Sequence, residues 1–232
     1  MRPFLLFIDT ETSGLPKKWD LPYSVEGNWP HAVQFSWTVY TVEGRLIKQE
    51  NHYIGDPDFT VTPESIQVHG ITREFLDRNG EPRRKVMELL TADLIAFAPV
   101  VIGHFIELDL HLAGAEYYRS GMENIIQQYP SYCTMQATRH LVRHPQKKFF
   151  RLGDLYERLF QRELGNQHNA YTDVNATAQC FFELLRRKEI SIHTIGQQKE
   201  EIIQARKISR KAGWGIFALM ITLLSALIAF CL

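Results

Sequence analysis

The sequence predicts an α/β fold: a mixed five-stranded sheet, an antiparallel hairpin plus parallel strands, flanked by helices and followed by one C-terminal transmembrane helix. Three observations predict it. Residues 4–9 (FLLFID) and 100–103 (VVIG) are short apolar runs of the kind that become buried central strands. Residues 32–40 (AVQFSWTVY) and 45–54 are strand-like runs joined by turn chemistry at Thr41, Val42, Glu43 and Gly44, which makes a hairpin. Residues 212–232 carry no charged side chain.

The elements follow in order. After the hairpin, residues 63–68 and 72–78 read as short helices, the second stopped near Asn79 and Gly80. Pro82 opens a longer helix to about residue 97, with Val86, Leu89, Leu90, Leu94 and Ile95 fitting one face. Strand 100–103 leads into a helix over 105–119, and 132–134 is the last strand. Helices are expected over 135–142, 152–161 and 173–188. A hairpin start followed by strand–helix alternation is the pattern of a mixed sheet with helices on its faces.

Residues 1–188 are therefore the folded domain and 189–211 a basic, polar tether. A helix over 212–232 would span ~31 Å, close to the ~30 Å hydrocarbon thickness of a bilayer. Its polar residues, Thr222 and Ser225, can bond back to the helix. The competing reading is a hydrophobic helix docked on its own domain or on a partner. Arg206, Lys207, Arg210 and Lys211 precede the span, so the positive-inside rule puts the domain in the cytoplasm and makes the lipid bilayer a partner. Cys231 reads as an inert thiol in lipid or a lipidation site.

Composition excludes the extreme classes. Lys+Arg and Asp+Glu are 26 each in 232 residues, with 45% apolar residues, so the chain is not disordered. Zero net charge means that any affinity for nucleic acid or anionic lipid comes from a local patch. Cys133, Cys180 and Cys231 are too few and too dispersed for a disulfide framework or a zinc cluster, which fits a reducing compartment. The N-terminal apolar run ends in carboxylates rather than in a cleavage site, unlike a signal peptide.

The carboxylates carry the chemistry. Asp9 and Glu11 stand at i and i+2 of the first strand, hence on one face. Two adjacent carboxylates repel unless a cation lies between them, and hard oxygen ligands favour Mg²⁺ or Mn²⁺. Asp109 follows strand 100–103 in the early turns of a helix, where a strand end delivers side chains to the mouth of a sheet; taken alone, it reads sooner as a solvated helix acid. Asp173 opens an amphipathic helix, either as an N-terminal acid favoured by the helix dipole or as a ligand, with His168 in the loop before it. Residues 139–151 (RHLVRHPQKKFFR) are basic and carry Phe149 and Phe150. They suit a single-strand backbone with stacked bases, or a solvated helix–loop with two core phenylalanines.

Three segments together, FIDTETSGLP (7–16), GHFIELDLHL (103–112) and His168–Asp173 (HNAYTD), resemble in order and spacing the motifs of the DEDDh 3′–5′ exonucleases, a DnaQ-like group. VHGIT (68–72) and LGDLYERLF (152–160) are similar to the same family, and the resemblance covers roughly residues 3–187. The sister group has Tyr four residues before the last Asp. Here residue 169 is Asn, and His stands five before Asp173. The second motif departs from the usual His-Asn-x-x-Phe-Asp by having Phe105 and Leu108.

The resemblance implies a ribonuclease H-like fold and two-metal phosphodiester hydrolysis. It implies that Asp9, Glu11 and Asp173 hold one Mg²⁺ or Mn²⁺, that Asp9 bridges to a second, and that Asp109 supports the second through water. It gives His168 the role of general base, for which the ordinary imidazole pKa of about 6.5 is suited. The implied partner is a DNA or RNA 3′ end, single-stranded DNA first, trimmed to 5′-mononucleotides. Leu15 and Val68 would wedge the terminal bases, or simply pack. Backbone near Thr10 and Thr12 would hold the last nucleotide. A silent nucleic-acid-binding module on the same fold and a tail-anchored adaptor with incidental acids are the alternatives.

Overall fold

The apolar run that opens the chain becomes the middle of the sheet. The computed structural model describes residues 3–143 and 148–191. Strand β1 (Phe4–Thr12) pairs antiparallel with β2 (Ala32–Thr41), which pairs antiparallel with β3 (Leu46–Tyr53). On its other side β1 pairs parallel with β4 (Val100–Gly103), and β4 with β5 (Ser131–Cys133). The order is β3-β2-β1-β4-β5. The expected transmembrane helix at 212–232, Cys231, tether residues 192–211 and residues 144–147 of the basic stretch lie outside the described residues. Among the described residues, no helix is long and apolar enough to cross a membrane.

Alternation along β1 assigns its two faces. Leu6 and Ile8 join Phe35, Trp37 and Val39 of β2 in a core with α3 (Arg83–Phe97) and α4 (Ile106–Arg119), through Leu90, Leu94, Ala113 and Tyr117. Phe7 faces the other way, onto Phe181 of α7 (Ala170–Arg186) at 5.4 Å between ring centroids. The helices thus cover both faces, as the strand–helix alternation requires. Helices α1 (Pro63–His69) and α2 (Arg73–Asn79) follow β3. Gly80 lets the chain pass hard against Gly55: a Cβ on Gly80 would lie 2.4 Å from the Gly55 Cα.

Five details differ from the sequence expectations. β1 does not end at Asp9, because β2 keeps supplying partners as far as Glu11↔Gln34, so both carboxylates sit inside the strand. Ile95 is exposed, whereas Met87 is buried with Val86, Leu90 and Leu94. The helix expected over 135–142 is a short α5 (Thr134–Ala137) followed by a 3-10 turn at Arg139–Leu141. There the Thr138 hydroxyl donates to the Thr134 carbonyl, the local bond by which threonine competes with helix continuation. A further 3-10 turn at Ile126–Gln128 precedes β5 unannounced, while α6 (Leu152–Phe160) stands as expected. Finally, α7 starts at Ala170 rather than at Asp173.

Candidate active site

Asp9 and Glu11 share the β1 face that looks toward α7. Thr10, between them, points to the opposite side, where its hydroxyl donates to Asp109 Oδ1 at 2.8 Å. Asp109 lies in the first turn of α4 and is only 4% exposed, so the solvated-acid reading is excluded. Parallel pairing of Phe7 with Ile102 brings the end of β4, and hence the start of α4, beside the end of β1. Sequence alone could not supply this, since Thr10 and Asp109 are 99 positions apart.

Asn169 caps α7: its side-chain oxygen accepts from Tyr171 N and Thr172 N. Asp173 is therefore a first-turn acid and not the cap. Its Oδ2 accepts from His168 N at 2.9 Å, and its Oδ1 is buried without a hydrogen-bond partner. His168 is exposed and left-handed at φ 64°, which folds the loop back over the helix start. One ligand atom each from Glu11, His168 and Asp173 lie within 4.8 Å of one another.

The electrostatics of the cluster follow from burying four carboxyl groups together. Burial pushes the Glu11 carboxyl up to about 8, with repulsion from Asp173 and Asp109 adding to it. Burial likewise raises Asp109 to about 8, against the pull of the Thr10 hydroxyl. Asp173 is raised by burial to about 6, held back by the His168 amide and side chain. Asp9 is raised well above its usual range by burial, then by Asp109, Asp173 and Glu11. Four acids all raised by burial, two of them further by their acidic neighbours, with an orphaned carboxylate oxygen among them, form a donor set suited to divalent cations.

This arrangement has a sign that can be measured. A carboxylate whose folded pKa exceeds its unfolded value of ~4 contributes stability that is complete below that value and lost as pH rises through the folded pKa. The metal-free protein should therefore lose stability progressively from pH ~4, through the Asp173 value of about 6, to the Glu11 and Asp109 values of about 8. Cations bind the ionised form, so Mg²⁺ or Mn²⁺ is expected to raise the Tm more at pH 8 than at pH 5.5 and to release protons near neutrality. Thermal melts and calorimetry in two buffers test this. Equal Tm gains at both pH values would place the cation elsewhere.

The expected substrate contacts are unevenly placed. Leu15 is 81% exposed and Val68 52%, so neither is ordinary packing. Thr10 spends its hydroxyl on Asp109, and the Thr12 carbonyl accepts from His69 Nε2. Phe149 and Phe150 are half-buried rather than core; the Arg139 and Arg158 guanidinium groups each lie 5.7 Å from one of these rings.

Two supports were not read in the sequence. His104 bridges Thr134 Oγ1 and the Phe150 carbonyl, and burial lowers its pKa to about 4, so it acts as a neutral strut. Phe105 is left-handed at φ 69°, a conformation that Asn adopts far more readily, and its ring packs 5.7 Å from Trp19. The departure from the usual second motif thus falls on a strained residue that is braced by an aromatic neighbour.

Comparison with known proteins adds the following. The RNase_T family model, described as Exonuclease, matches residues 6–181. No curated protein matches the sequence. A zinc-bound complex of E. coli exonuclease I with single-stranded DNA superposes with a TM-score of 0.65 at 20% identity, covering 79% of this chain and 41% of that chain. E. coli exonuclease I with a dA16 oligonucleotide gives 0.64 at 18%, covering 79% and 41%. A product-bound exonuclease I gives 0.64 at 17%, covering 80% and 44%. At such identities the likeness is one of fold, and this chain spans less than half the length of those proteins.

Proposed function

The chain belongs to the RNase_T exonuclease family, and on that premise we propose that it is a metal-dependent 3′–5′ exonuclease acting on single-stranded DNA and releasing 5′-mononucleotides. The observation that carries the reading is the meeting of Asp9, Glu11, Asp109 and Asp173 with His168 at the end of β1, with one Asp173 oxygen unpartnered. Asp9, Glu11 and Asp173 would hold one cation, and Asp9 with Asp109 the other. Bound Mg²⁺ or Mn²⁺ would supply charge neutralisation and a water of lowered pKa. The acids prefer these hard cations, although the imidazole within reach of Glu11 and Asp173 would also suit zinc.

His168 takes the proton from the attacking water, and its exposure leaves it open to that water. Thr10 holds Asp109 in the direction the site needs. Leu15 and Val68, exposed beside the ends of the first motif and α1, wedge the terminal bases. Arg139 with Phe149, and Arg158 with Phe150, offer cation and ring to the strand. Single-stranded DNA is favoured because it is the ligand named for the exonuclease I complexes. We also propose that residues 212–232 anchor the chain in a membrane with the domain in the cytoplasm, on the strength of their uncharged sequence and the basic residues before them.

The test uses the full chain in detergent on a 5′-labelled single strand, as DNA and as RNA. A ladder shortening from the 3′ end with Mg²⁺ or Mn²⁺, and absent in EDTA, is the expected result; the faster strand names the substrate. Bound Mn²⁺ with no cleavage of either strand would leave a silent binding module. Alkaline extraction of membranes should retain the full chain and release one ending at residue 205.

A further inference from the structure

We propose that Gln34 is a positioning residue for the cation site: it locks the start of α7 to the strand beside Glu11 and so sets the distance from Glu11 to His168 and Asp173. The proposal deepens the exonuclease reading and rests on it for its functional consequence.

Gln34 is 0% exposed in β2 and stands directly opposite Glu11. Opposite residues of an antiparallel pair share a face, so both side chains point toward α7. The register shifts immediately beyond this pair, where Thr12 meets Ala32 and Val33 is passed over. Irregularities of this kind re-aim side chains at functional sites. Gln34 Oε1 accepts from Ala170 N at 3.1 Å. Its Nε2 donates to Asn51 Oδ1 at 2.8 Å, and Asn51 Oδ1 also accepts from the Ser36 hydroxyl at 2.7 Å. The amide is thus anchored to β3 on one side and to the helix on the other.

The bond to Ala170 is special because of where it falls. The first N–H groups of a helix have no partner within it. Asn169 serves Tyr171 N and Thr172 N, and Asp173 N reaches the Asn169 carbonyl. Ala170 N is left, and the sheet supplies its acceptor through Gln34. The cap fixes the helix to its own loop, and Gln34 fixes both to β2, through Ala170 N and, at 3.5 Å, through its Nε2 donating to Asn169 Oδ1. Asp173 lies one turn beyond this bond, and His168 two residues before it. A slide of α7 by about 1 Å would open the cluster, and misplacements of that size can cost ~10²-fold in rate.

A structural role alone makes a different forecast, and Gln49 provides the comparison. It also ties the sheet to α7, through Tyr171 Oη at 3.2 Å and Asn175 Oδ1 at 3.0 Å, but on the outer rim away from Glu11. Mn²⁺ affinity, measured by calorimetry on the full chain without substrate, separates the two. Gln34→Leu is expected to weaken Mn²⁺ binding by ~10–100-fold and to lower kcat with KM nearly unchanged. Gln49→Ala should leave Mn²⁺ affinity as in wild type.

Ala170→Pro removes the same bond from the other partner and covers the case in which Gln34→Leu does not fold. Proline is tolerated at the first helical position, and Asn169 at φ −126°, ψ 115° already has the extended backbone that precedes proline. The proline variant should show the same loss of Mn²⁺ affinity. Unchanged Mn²⁺ affinity in a folded Gln34→Leu or Ala170→Pro protein overturns the proposal, as does an equal loss in Gln49→Ala. A wild-type chain that binds Mn²⁺ and cleaves nothing would end the exonuclease reading instead, leaving the Gln34 result to be judged on metal binding.

Discussion

Asp173→Asn is expected to lower turnover by about 10³-fold while leaving the metal-free protein at least as stable as wild type. The loss follows from geometry: Asp173 faces Glu11 and His168 with an unpartnered buried oxygen, and an amide there is a poor cation ligand. The stability follows from charge. Burial raises Asp173 to about 6, and its charge in turn raises Asp9 and Glu11. Above that pKa the ionised group opposes folding, so the neutral isostere should gain stability at pH 8. At pH 5 wild-type Asp173 is mostly protonated and the advantage should shrink. The Asn side-chain oxygen can still accept from His168 N, so the loop is kept. Melts in EDTA at both pH values and kcat at saturating Mn²⁺ test the two halves separately. Wild-type cleavage would remove Asp173 from the metal site, and a lower Tm at pH 8 would mean that the His168 bond outweighs the repulsion.

Why these acids could be read before the structure, and others not, depends on the range of the information. Asp9 and Glu11 were legible because strand periodicity is local: i and i+2 face the same way whatever the fold. Asp109 by itself was ambiguous, since only the parallel pairing of β1 with β4 buries it. The start of α7 was misplaced because Asn169 and Asp173 are both residues that favour helix beginnings, and tertiary contact with Gln34 decides between them. Gln34 was invisible for the same reason. Nothing in AVQFSWTVY marks that position until β2 is registered against Glu11. Leu15 and Val68 could be core or surface by composition, and their exposure is a property of the finished fold.

A second buried acid should behave in the opposite way. Glu116→Ala is expected to cost about 3 kcal/mol, near the lower end for breaking a buried ion pair. Glu116 is 0% exposed on α4. One of its oxygens accepts from Ala32 N at 3.0 Å and Arg119 Nη1 at 2.6 Å; the other lies 3.2 Å from Arg83 Nε. Removing it strands a backbone donor at the first residue of β2 and takes a charge partner from two guanidinium groups. The loss stays near the lower end because Arg83 keeps Asp58, and Arg119 keeps the carbonyls of Trp29 and Pro30. Glu116→Gln keeps an acceptor for Ala32 N and should cost less, which separates the backbone bond from the charge. Burial raises both acids, but Glu116 is held by Arg119, Arg83 and Ala32 N, whereas the charge of Asp173 raises Asp9 and Glu11. Urea denaturation at pH 8 in EDTA should therefore place Glu116→Ala below wild type and Asp173→Asn at or above it. A shared direction would mean that burial, not the surrounding charge, governs both.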